Sequence, residues 1–145
     1  MKITSSAFKY NSKIPSKYTC DDKNINPPLE FSDIPRETKS LVLIIDDPDA
    51  PSKTWVHWVI YNIDPSVTKI EENSVPKGLL GRTDFGKEGY GGPCPPSGTH
   101  RYFFKLYALD TILDAPNGLT KQQVLEKTRD RVIEEAELIG LYKRP

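Results

Sequence analysis

The chain has 145 residues, which suits one domain around one core, and its 20 Lys and Arg balance 20 Asp and Glu to a formal net charge of zero. A neutral chain without a basic cluster has no electrostatic footprint for nucleic acid or for an acidic membrane surface, and no stretch approaches the ~20 apolar residues needed to span a bilayer. Hydrophobic residues reach only 37%, but aromatics contribute 10% of the chain, and each buries a large area, so a folded domain is expected rather than disorder.

Weak strand signals come first, at Ile3 to Phe8 and Leu29 to Phe31. Leu41-Val42-Leu43-Ile44-Ile45 is a continuous β-branched and apolar run, read as a strand buried on both faces. Trp55 to Ile63 is aromatic and β-branched and ends at the turn signal Asp64-Pro65. Tyr102 to Leu109 alternates large apolar residues with Lys105. Thirteen prolines spread through the chain punctuate these segments, as many short strands joined by shaped loops require. The spacing predicts a mostly β, antiparallel single domain over 1–145.

The last quarter changes character. Leu119-Thr120-Lys121-Gln122-Gln123-Val124 carries a helix start: Thr120 as cap, Gln123 closing a capping box, and Leu119 packing on Val124. Val124, Leu125, Thr128, Val132, Ile133, Ala136 and Ile139 then follow helical spacing, and Gly140 is a credible stop. A break near Arg129 to Arg131 stays open. Between them, Glu126, Lys127, Arg129, Asp130, Arg131, Glu134 and Glu135 read as a solvated face.

Met1-Lys2-Ile3-Thr4-Ser5-Ser6 lacks the apolar run of a signal peptide, so the expected location is the cytoplasm. Cys20 and Cys94 lie far apart with no metal-ligand spacing. Free thiols are the expectation in that compartment, with one bridge as the alternative.

Both histidines of the chain, His57 and His100, sit within or just before an aromatic strand. By strict alternation His57 shares a face with Trp55, Val59 and Tyr61, and His100 with Tyr102 and Phe104. Trp58 and Phe103 then fall on the opposite faces, as core. A partly desolvated histidine needs a hydrogen-bonding partner or an anion. Alone, each histidine reads best as a satisfied core residue; two of two favours a shared site. Asp46-Asp47-Pro48-Asp49-Ala50-Pro51 follows the buried run and brings three carboxylates to the edge of a core in a loop stiffened by proline. Gly89-Tyr90-Gly91-Gly92-Pro93-Cys94-Pro95-Pro96-Ser97-Gly98-Thr99-His100 is a stiff loop whose backbone can approach an oxyanion closely. It has no phosphate-loop spacing.

Together, Asp47-Pro48-Asp49-Ala50-Pro51-Ser52, Trp55-Val56-His57-Trp58 with Asn62, and Gly92-Pro93 with Gly98-Thr99-His100-Arg101-Tyr102 resemble the two signature regions of the phosphatidylethanolamine-binding protein family. The ending Glu137-Leu138-Ile139-Gly140-Leu141-Tyr142 is similar to its bacterial and archaeal branch. The resemblance implies a large central antiparallel sheet packed on a smaller sheet, with peripheral helices including a C-terminal one. It implies a ligand pocket at Asp47, Asp49, Trp55, His57, Gly92, Pro93, His100 and Tyr102 for phosphate-like, acetate-like or phosphoethanolamine head groups. It also implies regulation of partner proteins such as kinases or serine proteases, and a possible homodimer. Cys94 stands at the pocket rim where eukaryotic relatives commonly have proline.

The mechanism expected of that pocket places an anion between the two imidazoles. Asp47 orients one ring, and Asp49 holds the loop or a ligand ammonium. The Tyr102 hydroxyl and the Gly92 N–H donate, and Trp55 excludes water. No cofactor is expected. Two readings compete. A hydrolase would use Ser52, Ser97 or Thr99, without a Gly-x-Ser-x-Gly elbow; a metal site would use His57, His100 and Asp47, without ligand spacing.

Overall fold

The computed structural model describes all 145 residues. Nine strands and one α-helix follow in chain order: β1 (Lys2–Thr4), β2 (Ser12–Lys13), β3 (Leu29–Ser32), β4 (Ser40–Asp47), β5 (Trp55–Ile63), β6 (Lys69–Ile70), β7 (Leu79–Leu80), β8 (His100–Leu109), α1 (Lys121–Thr128) and β9 (Val132–Tyr142). A short 3-10 turn spans Ser16–Tyr18. The strands form a six-stranded sheet in the order β2-β9-β8-β4-β5-β7 and a three-stranded sheet in the order β1-β3-β6. Every pairing is antiparallel except β2 with β9. The expected two-sheet, mostly β architecture is what the chain adopts. No helix is long and apolar enough to cross a membrane.

The apolar run of β4 works as its composition demands. The strand lies between β5 and β8, and all eight of its residues are buried. Leu41, Leu43 and Ile45 point into one core with Ile3, Leu29 and Phe31 of the small sheet. Val42 and Ile44 point into a second core, closed by Val124 of α1 and by Leu113. Each fully buried side chain of this size contributes roughly 1.5–3 kcal/mol.

Two irregularities in the β4–β5 ladder matter. Opposite Val42, β5 carries the extra residue Asn62 at φ 55°. Asn62 tolerates that left-handed backbone, and its amide clamps Leu113, donating to the carbonyl and accepting from the N–H. Between the pairs Ile45–Trp58 and Asp46–Val56 the extra residue is His57. This second bulge corrects the strict alternation expected for β5. Trp58 packs in the same core as Tyr102 and Phe104, while Val56, Val59 and Tyr61 face the other core. His57 and Trp58, adjacent in sequence, therefore lie on one side of the sheet. A bulge does this because one residue of the strand has no partner opposite it. Phe103 is half-buried rather than core, with the Lys105 ammonium 5.5 Å from its ring centre.

The C-terminal helix is shorter than its spacing suggests. The start is as read: Thr120 Oγ1 accepts from the Gln123 N–H, and the Gln123 side chain accepts from the Thr120 N–H. The helix ends at Thr128, Asp130 takes φ 64°, and residues 132–142 form β9, paired along the whole of β8. Tertiary pairing overrides a pattern that fits two periods: Ala136 and Leu138 contact the core at strand spacing. Gly140 is no helix stop. It faces Tyr102 across the ladder, where a Cβ would come within 2.5 Å of Ile14 Cγ1 and 2.8 Å of Phe8 Cε2.

Candidate ligand-binding site

The C-terminal end of β4, the start of β5 and the start of β8 lie side by side, so Asp47, Trp55, His57, His100 and Tyr102 converge at one end of the large sheet. They line a cavity of about 250 Å³ together with Ala50, Pro51, Phe85, Cys94, Pro95 and Pro96. That is below the ~300–1,000 Å³ of sites for drug-sized ligands and suits a head group.

Both imidazoles are held through Nδ1. His100 Nδ1 lies 2.7 Å from Asp47 Oδ2, and His57 Nδ1 lies 2.7 Å from the Gly91 carbonyl. Both partners accept, so each ring carries its proton on Nδ1 and leaves Nε2 for a ligand. His57 and His100 are 3% and 6% exposed. Burial pulls the His57 pKa below its ordinary value, against the opposing pull of the Gly91 carbonyl and the Asp47, Asp46 and Asp84 carboxylates. His57 is therefore neutral at pH 7, with a lone pair on Nε2.

The Tyr102 ring centre lies 5.2 Å from that of His57 and 6.5 Å from that of His100. Its hydroxyl is buried and makes no hydrogen bond of good geometry within the protein, although the Asp47 carboxylate lies close by. Burial first, then the Asp47 and Asp49 carboxylates, push its pKa well up, so it stays a donor. An orphaned buried hydroxyl costs about 1–3 kcal/mol, which a ligand oxygen can recover. Phe85 closes the wall beside Trp55 and His57, at 5.7 and 5.3 Å between ring centres. It was not singled out from the sequence; its signal is an aromatic in the glycine-punctuated segment Gly81 to Gly86.

Three expected site residues lie behind the cavity rather than in its lining. Asp49 is spent on Arg101, whose Nε and Nη2 each lie 2.9 Å from its carboxylate. The Arg101 guanidinium holds the Asp49 pKa down to about 2. Gly92 donates its N–H to Asn24 Oδ1 and leaves no room for a Cβ, which would approach the Tyr18 carbonyl to 2.3 Å. The Pro93 carbonyl accepts from the Cys20 N–H. Asp46 also parts from Asp47: fully buried, it pairs with Lys105 and Lys121. Ser52, Ser97 and Thr99 are absent from the lining, and nowhere do three or more His, Cys, Asp and Glu side chains gather as metal ligands.

The expectation of free thiols is overturned. Cys20 and Cys94 are disulfide-bonded. The bridge joins the cavity wall to the segment around the 3-10 turn, beside the Cys20–Pro93 and Gly92–Asn24 hydrogen bonds and a bond from the Tyr90 hydroxyl to the Tyr18 carbonyl. Counting cysteines against an expected compartment could not reveal that the fold brings these two loops together.

The sequence profile of the family described as phosphatidylethanolamine-binding protein matches residues 4–143. A UPF0098 protein of Methanothermobacter thermautotrophicus is 55% identical, with 99% of each chain covered. One from Chlamydia trachomatis is 46% identical over 99% of each. Among solved structures, a phosphatidylethanolamine-binding protein homologue, CT736, from Chlamydia trachomatis superposes with a TM-score of 0.97 at 45% identity, covering 99% of this chain and 97% of the other. Escherichia coli YbcL, described as a member of the mammalian family, gives 0.92 at 31% identity over 99% and 98%. A profile that spans nearly the whole chain, relatives of equal length and superposable structures make one assignment: the chain belongs to the phosphatidylethanolamine-binding protein family, whose fold serves ligand-binding and regulatory modules.

Proposed function

We propose that the cavity binds a small anion, best a phosphoryl group bearing one exchangeable proton, between Nε2 of His57, Nε2 of His100 and the Tyr102 hydroxyl. The observation that carries this reading is the commitment of both Nδ1 atoms to fixed acceptors, which leaves two ring nitrogens and one orphaned hydroxyl for a ligand. Tyr102 donates outright. Each Nε2 donates only when its ring is protonated, or accepts a proton that the ligand brings. The complex then holds one proton more than a neutral site and a dianion hold apart. Affinity for a phosphate monoester falls with rising pH above ~7, by up to about tenfold per unit. A ligand ammonium cannot rely on Asp49, which Arg101 already engages.

Isothermal titration of inorganic phosphate and phosphoethanolamine at pH 5.5 and 8.5 tests this. Equal affinity at both values overturns it, as does undiminished binding by a His57→Ala/His100→Ala double variant that still folds. Occupancy of such a cavity suits a module that tunes a protein partner, a kinase or a serine protease, rather than one that turns over substrate. The Asp47–His100 pair favours a second reading, since an oriented imidazole with a free Nε2 is also a general base. Hydrolysis of an ester panel by the wild type, lost in His100→Ala, would establish that reading instead. Native mass spectrometry of protein from its own cells reports retained ligand and subunit number together.

A further inference from the structure

A second concavity lies apart from the cavity above. A groove of about 640 Å³ runs between α1, the segment from Arg82 to Asp84, and the stretch from Lys53 to Val56. It shares no lining residue with the cavity. The two lie back to back: Val56, Thr83 and Asp84 face the groove, whereas Trp55, His57 and Phe85 face the cavity.

Charge distinguishes the groove from the rest of a neutral chain. Four cations line it (Lys53, Arg82, Lys121 and Arg129) against two anions, Asp84 and Glu126. Asp84 is already occupied, accepting from Lys53 Nζ at 2.8 Å and from the Val56 N–H at 2.7 Å. Asp46 sits among two lysines, Lys105 and Lys121, so that trio keeps a net positive charge. Arg82 and Arg129 are exposed and make no side-chain hydrogen bond or ion pair within the protein. Their guanidinium groups are the forked donors that match carboxylates two bonds at a time.

Length decides between a single ion and a chain. Lys121 and Arg129 are eight residues apart along α1 and its end, about 12 Å at 1.5 Å per residue. No one anion spans that distance, whereas an extended peptide covers it with about four residues. The walls offer Thr54, Thr83, Thr120 and Gln122 for polar contacts, above the apolar patch of Val56 and Leu125.

We infer that this groove is a docking site for an acidic segment of a partner protein, an extended stretch rich in Asp and Glu, held by Arg82 and Arg129 beside the anchored charges of Lys53 and Lys121. It is a second site, independent of ligand occupancy in the cavity. The test uses the full-length protein and fluorescein-labelled eight-residue peptides: one alternating Glu and Ser, one with Gln for every Glu, and an oligothymidylate of matching charge. Fluorescence anisotropy at low salt is expected to show binding of the acidic peptide, weakened at least about tenfold by Gln and by the Arg82→Glu/Arg129→Glu double variant. The His57→Ala/His100→Ala variant should bind the peptide as the wild type does, which separates a failure here from failure of the cavity reading. Equal binding of the acidic and Gln peptides, or an undiminished signal with the double arginine variant, overturns the proposal. So does oligothymidylate binding as tightly as the peptide, which would mark a surface for any polyanion. Both arginines are exposed and unpaired, so the double variant should keep the wild-type melting temperature.

Discussion

Reduction of the Cys20–Cys94 bridge gives the sharpest quantitative test of how the cavity wall is held. The bridge closes a loop with a sequence separation of 74. The loop-closure entropy it removes from the unfolded chain corresponds to about 4 kcal/mol at 25 °C. For a chain of this length that is a fall in Tm of roughly 10–15 °C. The native wall should survive in outline, because the Cys20–Pro93, Gly92–Asn24 and Tyr90–Tyr18 hydrogen bonds do not depend on the sulfurs. The effect should therefore sit mostly in the unfolded state. Urea unfolding followed by tryptophan fluorescence, with and without a phosphine reductant, measures it; a Cys20→Ser/Cys94→Ser variant, left untreated, is the control. Cys94 is exposed and within reach of reductant. A loss below about 1 kcal/mol would refute the reasoning, since it would mean that the unfolded chain already holds the two segments together.

Other outcomes follow from single features. Burial depresses the His57 pKa, so the unfolded chain takes up a proton first as pH falls below ~6.5. Stability is thus complete above that value and declines as pH falls below it; a His57→Gln variant should show a flatter urea midpoint over that decline. Gly91→Ala would set a Cβ 2.3 Å from the Phe85 ring. Phe85 is 41% exposed and free to swing outward, so the variant should fold but lose phosphate affinity, seen by titration. Thr120→Ala removes the acceptor of the Gln123 N–H and should cost about 1 kcal/mol in urea unfolding.

The central strands were legible because their composition allows one reading. Leu41 to Ile45 can only be buried on both faces, and Trp55 to Ile63 is the span of β5. The two histidines and Asp47 were legible because polar groups beside aromatic strands need partners; the wider set with Trp55 and Tyr102 came from the family resemblance, and the fold brings all five to one cavity. What escaped depends on information that a local pattern lacks. Val132, Ile133, Ala136 and Ile139 satisfy helical spacing and also fit a strand with one open edge; only the β8 ladder decides between them. Gly92, Pro93 and Asp49 carry the right residue types, yet Asn24, Cys20 and Arg101 claim their polar groups. Those partners lie dozens of residues away, beyond any spacing rule.

The unpaired residue at His57 has a consequence for how this strand tolerates change. It acts as a phase step: the odd and even positions exchange sides as the chain passes it, so neighbours His57 and Trp58 serve the pocket and the core without competing for one slot. Excising His57 would restore strict alternation from Trp55 to Tyr61, with each remaining core residue of that stretch keeping its side. The molecule would then keep its architecture and lose one of the two imidazoles that line the cavity, because the cavity and the core draw on separate letters of the same strand.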